Sequence, residues 1–499
     1  MTDSTISAMS ACELLAEDFF LGLFDLPELD RVRLSAIATE RARQLGIKTA
    51  FNKVLRGYEK AVSAPKPARP YRDTSGRFLH EQMARELINC GVVCRIGNLV
   101  HTRRGLVWVP DAAALNGAIL ERCPDSTKSN RAEVAAWLQA SSEVPERKLS
   151  PPELIPFANG VLDLNGPDRV RPYMQEDTFL SVFPARYDPD TAPADSVAQT
   201  FDRLADHSAG VVRLLYQMIG LLLFRENRYR AAFFLFGESG CNGKSSLLNL
   251  IRQFVGPGNC SSMSIQDFDG ERGRFRVAEL VGKAANLCDD LPARHLFDSS
   301  MFKAITTGGT ITGERKGDQP FSFTPFCKMI FACNELPTMS DHTGGAMSRM
   351  VIVPLQHNFS LDEDFRPQAK DKNWTQAELD YLAVLAVRGL RGVIEGNGVC
   401  IPSESAELLD EYKILNDPVS AFVRYCGDED KLIVYRRTET VFNDFRAFCC
   451  EAGFRSEMKR KTFSNRICSL LDLECRQQRD TGGGRSYYFQ PKTPPVMHE

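Results

Sequence analysis

The sequence predicts an α/β protein, with a parallel-sheet core between a helical front and a small C-terminal α+β unit. Three observations predict it. The wholly apolar run Ala231 to Phe236 leads into a Gly-rich loop that opens a helix, as a central strand of a parallel sheet does. Two further stretches, Ala284 to Leu291 and Lys328 to Pro337, each carry a run that gives way to polar residues, Asp289-Asp290 and Asn334. Past Gly396 the pattern becomes helix, turn, helix and then a Gly-rich hairpin.

Length and composition set the bounds. The 499 residues suggest about three domains at ~150 residues each. The chain is 43% hydrophobic and 25% charged, an ordinary globular mix. Its net charge is −3, so nucleic-acid binding would need a local basic patch rather than a global field. The apolar stretch Val211 to Phe224 is broken by Arg213 and Gln217. It is shorter than the ~20 residues that cross a bilayer and reads as a buried helix. Met1 to Leu15 lacks a basic region and a cleavage pattern, so no secretory leader is expected and the reading is cytoplasmic, in a bacterial host. The fifteen cysteines are odd in number and scattered, which reads as reduced, buried thiols. Cys90 and Cys94 have no second pair at zinc spacing, and Cys449 and Cys450 are adjacent. His80, His101, His207, His295, His342, His357 and His498 form no metal spacing.

From the front, residues 1–63 read as a helical region. Leu15, Phe19, Leu23 and Leu26 recur at helical spacing up to Pro27, and Arg31 to Leu45 continues as an amphipathic segment. The Pro-rich stretch Ala64 to Pro70 reads as an extended linker. It opens an accessory α+β region, 64–150, with a helix from Phe78 to Cys90, two strands near Val92–Val100 and Leu106–Val109, and more helix to about Leu138. Residues 151–229 form a collar-like region before the core. In it Asn159-Gly160 signals a hairpin between apolar runs, and Gln199 to Phe224 has a helical pattern. Asp188-Pro189-Asp190 reads as a turn. The core spans 230–400 and closes with a helix, Gln376 to Arg391, started by a Thr375/Glu378 capping box. Residues 401–499 form the last unit.

The chemistry sits in Gly237-Glu238-Ser239-Gly240-Cys241-Asn242-Gly243-Lys244-Ser245, followed by Ser246 and a helix to Phe254. Glycines let several backbone N–H groups point inward, and the helix N-terminus adds partial positive charge. Lys244 would reach the β- and γ-phosphates of ATP, and Ser245 would ligate Mg²⁺. Five residues separate Gly237 from Gly243, one more than usual. Asp289 and Asp290, ending the next candidate strand, would hold Mg²⁺ and polarise the attacking water. Asn286 interrupts that strand, and a solvated turn is the alternative. Asn334, ending the strand after that, would orient the same water, or would simply cap a turn before Pro337. Arg349 precedes Met350 to Pro354. It would reach a neighbouring subunit's phosphate, or form a surface salt bridge.

Together these blocks resemble the superfamily 3 helicases of phage, plasmid, satellite and DNA-virus replication proteins, with a poxvirus-like NTPase helicase core. The ordered set FANGVLDL, GESGCNGKSS, CDDL, FKAITTGGTITGERKGDQPFSF, IFACNELP and SRMVIVPL runs from Leu154 to Phe359, about two-fifths of the chain. The resemblance implies an AAA+-like core that assembles into a ring, usually a hexamer, with ATP between subunits. It implies that Lys244 and Ser245 are the Walker A residues, Asp289 and Asp290 Walker B, Asn334 the sensor and Arg349 the arginine finger. It also implies a channel hairpin in Thr310 to Phe323, with Arg315 and Lys316 on the DNA backbone. Many relatives carry Glu at the second Walker B position or paired finger arginines, whereas this chain has Asp290 and a lone Arg349. No primase domain is evident ahead of the core, so a separate primase or other replication proteins would be partners.

Between Lys431 and Gln490 there are twelve Lys/Arg against seven Asp/Glu. The two helices there, Glu439 to Ala452 and Arg460 to Leu471, turn at Gly453 and precede the hairpin Thr481 to Arg485. That resembles a winged helix. Lys459, Arg460, Lys461 and Arg466 would lie on or before the recognition helix, with Arg485 on the wing. A charged helical subdomain for oligomer contacts is the alternative. The function expected is an ATP-dependent, ring-forming DNA helicase in the replication of a mobile element. A P-loop ATPase for packaging or defence, and an origin-binding initiator with a regulatory ATP site, remain as alternatives.

Overall fold

Ser10 and Glu13 cap each other's backbone at the start of a short helix, and the first elements follow from such local signals. The computed structural model describes the chain apart from residues 1, 27, 63–70, 269–272, 293–295, 297, 316–319, 340–344, 364, 366–370, 429–431, 452–457, 480–483 and 493–499. The proline-rich linker, Lys316 and the Gly453 turn therefore lie outside the described residues. So do the wing tip 481–483, Pro27, His295, His342 and His498. The chain divides into two units, Met1–Glu86 with Ile119–Trp137, and Leu87–Ala118 with Leu138–Glu499.

The first unit begins with α1 (Asp3–Ala8), α2 (Ala11–Leu15), α3 (Glu17–Phe24), α4 (Glu28–Gln44) and α5 (Lys48–Val62). The apolar spacing predicts one helix across Leu15 to Leu26. The structure breaks it at Ala16, which is extended (ψ 143°), and the break lets Leu14, Phe19, Phe20 and Leu23 all reach the core. Phe20 stacks on Tyr58 at 5.2 Å between ring centres.

Further along come α6 (His80–Asn89), β1 (Val93–Ile96), β2 (Leu99–Arg104), β3 (Val107–Val109), α7 (Ala112–Arg122) and α8 (Lys128–Ala140). The two strands expected here are three. Gly97 (φ 59°) and Gly105 (φ 60°) take the left-handed conformation that two tight hairpins require, pairing Ile96 with Leu99 and Arg104 with Val107.

Next are β4 (Leu154–Phe157), β5 (Gly160–Asp163) and β6 (Val170–Arg171). Phe157 pairs with Gly160, the hairpin that the sequence signals. The Asn159 side chain both donates to and accepts from the Tyr187 backbone, at 3.0 Å each way. The helical pattern after Gln199 splits into α9 (Asp195–Leu204) and α10 (Ala209–Leu223). Asp206 and His207 turn through positive φ between them, and Ser208 caps α10.

The core then runs β7 (Ala232–Phe236), α11 (Lys244–Val255), β8 (Cys260–Ser261), α12 (Gly273–Val277), β9 (Ala285–Cys288), α13 (Ser300–Thr307), β10 (Ile311–Gly313), β11 (Phe321–Phe323), β12 (Lys328–Cys333), β13 (Met350–Pro354) and α14 (Gln376–Glu395). Five strands form a parallel sheet in the order β13-β7-β12-β9-β8. Side chains alternate across it. Phe233, Leu235, Ile330, Ala332, Val351 and Val353 face a core shared with α10, α11 and α14. Phe234, Met329, Phe331, Met350 and Ile352 face a second core on the other side. The chain is thus mixed α/β, a parallel sheet covered by helices. Helices α10 and α14 touch backbone to backbone at two glycines. A Cβ on Gly220 would lie 2.4 Å from the Ala386 carbonyl, and one on Gly389 would lie 2.3 Å from that of Tyr216.

After α14, started by the expected Thr375/Glu378 box, come α15 (Ser403–Asn416), α16 (Pro418–Asp428), α17 (Thr438–Glu451), α18 (Arg460–Leu470) and the antiparallel pair β14 (Leu473–Arg479) and β15 (Arg485–Pro491). From α16 onward they share a core centred on Phe422, Phe445 and Phe463, whereas α15 packs Leu408, Leu409 and Tyr412 into the second core of the sheet. All fifteen cysteines are free, but Cys12, Cys90, Cys241, Cys400, Cys450 and Cys475 are exposed, so only some are the buried thiols expected. Among the described residues no helix is long and apolar enough to cross a membrane.

Candidate functional site

The parallel register brings the strand ends level. Phe236 lies opposite both Cys333 and Pro354, and Cys288 lies opposite Phe331. The loop after Phe236, the pair Asp289-Asp290 and the side chain of Asn334 therefore leave one carboxyl edge of the sheet. The backbone ties them there. Gly237 N–H donates to the Cys333 carbonyl at 3.4 Å, and Leu291 N–H to that of Ala332 at 2.8 Å.

The loop Gly237 to Gly243 curls because two residues near its end are left-handed, Cys241 (φ 60°) and Gly243 (φ 78°). A Cβ on Gly237 would sit 2.5 Å from the Leu355 carbonyl, so glycine is required there by close approach. Lys244, the first residue of α11, folds its amine back inside this curl. Nζ donates to the Gly237 carbonyl at 2.7 Å and to Asn242 Oδ1 at 3.3 Å. Burial holds that amine below the usual lysine range. Ser245 donates its hydroxyl to Asp289 Oδ1 at 2.8 Å. This links the first turn of α11 to the end of β9 across 44 residues of chain. Asp290 and Asn334 are exposed at the same edge. Glu238, Ser239, Gly240 and Ser246 complete the loop and the first turn.

Asn286, which interrupts the apolar run of β9, is fully buried. Its amide accepts from Met263 N–H at 2.9 Å and donates to the Met263 carbonyl at 2.8 Å. It works as a backbone mimic that fastens the segment after β8.

A strap that sequence reasoning missed braces the back of the loop. Leu355 N–H donates to the Phe236 carbonyl at 2.8 Å, and Phe359 N–H to that of Cys241 at 3.1 Å. Asn242 Nδ2 donates to the His357 carbonyl at 3.0 Å. The Phe359 ring and Leu204 fill the space where a Cβ on Gly243 would lie, at 2.9 and 2.5 Å. The strap is held by charge. His357 Nε2 meets Asp362 at 2.9 Å and its Nδ1 meets Asp206 at 3.3 Å. Arg203 pairs with Asp362 at 2.6 Å and lies over the Phe359 ring. The hydrogen bond to Asp362 raises the His357 pKa above the usual imidazole range. His357 and Arg203 in turn hold Asp362 below the usual carboxylate range. No motif signals this, because the partners lie some 150 residues apart in the chain.

The remaining candidates lie elsewhere. Arg349 immediately precedes β13, at the amino edge of the sheet, and donates to the Gly345 carbonyl. Strand β13 has five residues, so at ~3.3 Å per residue Arg349 stands roughly 16 Å along the strand from the carboxyl edge. Arg315 follows β10. Its guanidinium donates to the Pro110 carbonyl at 2.6 Å and lies 5.2 Å from the Phe321 ring centre, so it is held against the protein. In the C-terminal unit Lys459, Arg460, Lys461 and Arg485 are exposed, with Arg460 near Glu439 at 3.6 Å. Arg466 differs from the expectation. It pairs with Asp417 at 2.7 Å and so fastens α18 to the start of α16. Asp188 and Asp190 both lie within ion-pair reach of Arg169, the turn expected.

Known proteins match the chain in parts. Residues 116–207 match a family described as D5 N terminal like. Residues 235–349, which hold the loop and both strand-end groups, match a family of unknown function (DUF5906). Two viral proteins that carry the provisional name of helicase are similar. One, from Acanthamoeba polyphaga mimivirus, is 27% identical over 132 residues, covering 26% of this chain and 14% of that protein. The other, from invertebrate iridescent virus 3, is 27% identical over 241 residues, covering 42% and 24%. The chain thus spans less than a quarter of the length of either. Among solved structures, the NrS-1 C terminal region aligns over 82% of this chain and 98% of its own, at 14% identity and a TM-score of 0.46.

Proposed function

We propose that the chain is an ATP-dependent DNA helicase of the superfamily 3 type, acting in DNA replication as a ring of identical subunits, with six the expected number. One observation carries this reading. The Ser245 hydroxyl on a Gly-rich loop and helix meets the Asp289 carboxylate on a parallel strand two places away, at 2.8 Å. A phosphate-bound divalent ion needs both oxygens from opposite sides. The helicase names of the two viral relatives and the D5-like match support the reading.

The residues suit ATP and Mg²⁺. The loop from Gly237 to Gly243 turns its backbone around a glycine-lined concavity, and Gly240 has no neighbouring atom within 4 Å of where a Cβ would stand. Lys244 already directs its amine into that curl and would exchange a carbonyl for phosphate oxygens. Among the described residues no three His, Cys, Asp or Glu gather into a metal cluster. The ion would therefore rest on Ser245, Asp289 and the phosphates themselves, where it neutralises developing charge. Asp290 and Asn334, exposed at the same edge, would hold and orient the attacking water. In this reading 230–400 is an AAA+-like core, and 401–499 a winged-helix unit presenting Lys459, Lys461 and Arg485 to duplex DNA.

Lys244→Ala tests the assignment. ATP hydrolysis and displacement of a strand from a forked duplex should both fall to background, with the far-ultraviolet spectrum unchanged. Unaltered turnover would remove the site. Turnover in the wild type without strand displacement would point to a packaging or defence ATPase. Sequence-specific duplex binding with negligible turnover would point to an initiator.

A further inference from the structure

Strands β2 and β3 carry a second basic surface. Trp108 is buried (3% exposed), and two guanidinium groups flank its ring. Arg103 lies 6.0 Å and Arg147 5.1 Å from the ring centre. Such cation–π contacts hold long side chains in fixed directions. Arg147 also donates to the Gln175 carbonyl at 3.0 Å. It lines an open groove of about 450 Å³ together with Lys148, Gln175, Glu176 and Thr178. Arg103, Arg104 and Lys148 are exposed. Arg103 and Lys148 form no ion pair with any described residue. Leu106 and Leu149 stand exposed beside them at 43% and 37%.

The placement of this surface gives it meaning. Backbone pairing sets the 145–147 segment against β1, because Arg95 N–H donates to the Pro145 carbonyl and Arg147 N–H to that of Arg95, both at 2.8 Å. The neighbouring Trp108 N–H donates to the Phe179 carbonyl, also at 2.8 Å. The groove is therefore framed by paired backbone rather than by a free loop. At the end of β3, the Pro110 carbonyl receives the Arg315 guanidinium from the β10–β11 hairpin. Register pairs Arg103 with Trp108 and Arg104 with Val107, so Arg103 lies on the Trp108 side of the sheet and Arg104 on the other. Arg103, Arg147 and Lys148 are the cations gathered about Trp108 and the groove. Glu176 is the one acid lining the groove.

We propose that this face, built from Arg103, Arg147 and Lys148 about Trp108, is a binding surface for the phosphate backbone of single-stranded DNA. The proposal rests on the helicase reading above and adds a contact outside the ATPase core. Fixed guanidinium groups and a free lysine track a backbone without reading bases. The exposed leucines offer apolar cover for unstacked bases.

The test uses the full chain, a fluorescein-labelled thirty-residue oligothymidylate, and anisotropy between 50 and 200 mM salt. Arg103→Glu combined with Lys148→Glu should weaken binding at least ~10-fold. Losing two phosphate contacts should flatten the slope of log K against log salt by about 1.4, at ~0.7 per contact for single strands. The milder Arg103→Gln/Lys148→Gln pair should weaken it by less and flatten the slope equally. Thermal unfolding of both variants controls for folding. Wild-type binding with unchanged affinity and slope in both variants overturns this proposal and leaves the helicase reading standing. Weakening confined to a duplex probe overturns it as well. A wild type that hydrolyses ATP but binds no oligothymidylate overturns both.

Discussion

Asn286 shows how a residue can look wrong in sequence and be right in structure. It breaks the apolar run that ends in Asp289, and for that reason a solvated turn stays open on sequence alone. In the fold it is fully buried and its amide satisfies both backbone groups of Met263. A buried polar side chain is stable when its partners are fixed. Asn286→Leu would leave the Met263 N–H and carbonyl unpaired, at about 1–3 kcal/mol each. Chemical denaturation should show a loss of roughly 2–4 kcal/mol. A loss below ~0.5 kcal/mol would mean that water or a neighbour replaces the amide. That Lys244, Ser245 and Asp289 gather at one edge of the sheet was legible, because strand, loop and helix are written in short local strings. Arg466 was not. Its charge marks it equally for DNA or for Asp417, and only the fold pairs it with the latter.

At the scale of elements, signals carried within a few residues were readable. The Thr375/Glu378 box starts α14, and the run Ala232 to Phe236 is a central strand with both faces covered. The β1–β2 hairpin and the break between α9 and α10 were missed because positive φ at Gly97, Asp206 and His207 leaves no mark in hydrophobic periodicity. The strap from Leu355 to Asp362 is the functional case. It packs behind Asn242 and Gly243 and is pinned by His357, faced by Asp362 and Asp206, with Arg203 on Asp362. His357 has a raised pKa in the fold. Its contribution is therefore complete below the ordinary imidazole value near 6.5 and is lost as pH rises through the higher folded value. Nucleotide affinity should weaken across that window in the wild type. Asp362→Asn removes the main cause of the shift, so it should move the transition to lower pH and weaken binding several-fold at pH 6.5. Titration of a fluorescent ATP analogue from pH 6 to 9 measures both. Coincident profiles would separate the strap from the nucleotide.

Across the whole molecule, the decisive feature is that Arg349 and Lys244 lie at opposite edges of one sheet. Register fixes this, since Met350 pairs with Ala232 at the start of β7 while Lys244 follows its end. No side chain spans the roughly 16 Å of a five-residue strand. Under the proposed ring reading, Arg349 would therefore act on the ATP of another copy of the chain, and a protomer alone would be incomplete. Such arginines contribute ~10³–10⁵ in rate where they act. Arg349→Ala should therefore lose about three orders of magnitude in hydrolysis while still binding ATP, and Lys244→Ala should lose hydrolysis through its own site. Mixing the two inactive proteins separates the possibilities. Where an Arg349→Ala subunit contributes Lys244 and its Lys244→Ala neighbour contributes Arg349, one interface has every group again. Activity should return to a fraction of wild type that peaks near equal proportions. It should vanish if the proteins are crosslinked as separate homo-oligomers before mixing. If both variants assemble together and the mixture stays dead at every ratio, Arg349 serves its own subunit as a structural cation. The ring reading would then have to rest on some other residue at the amino edge.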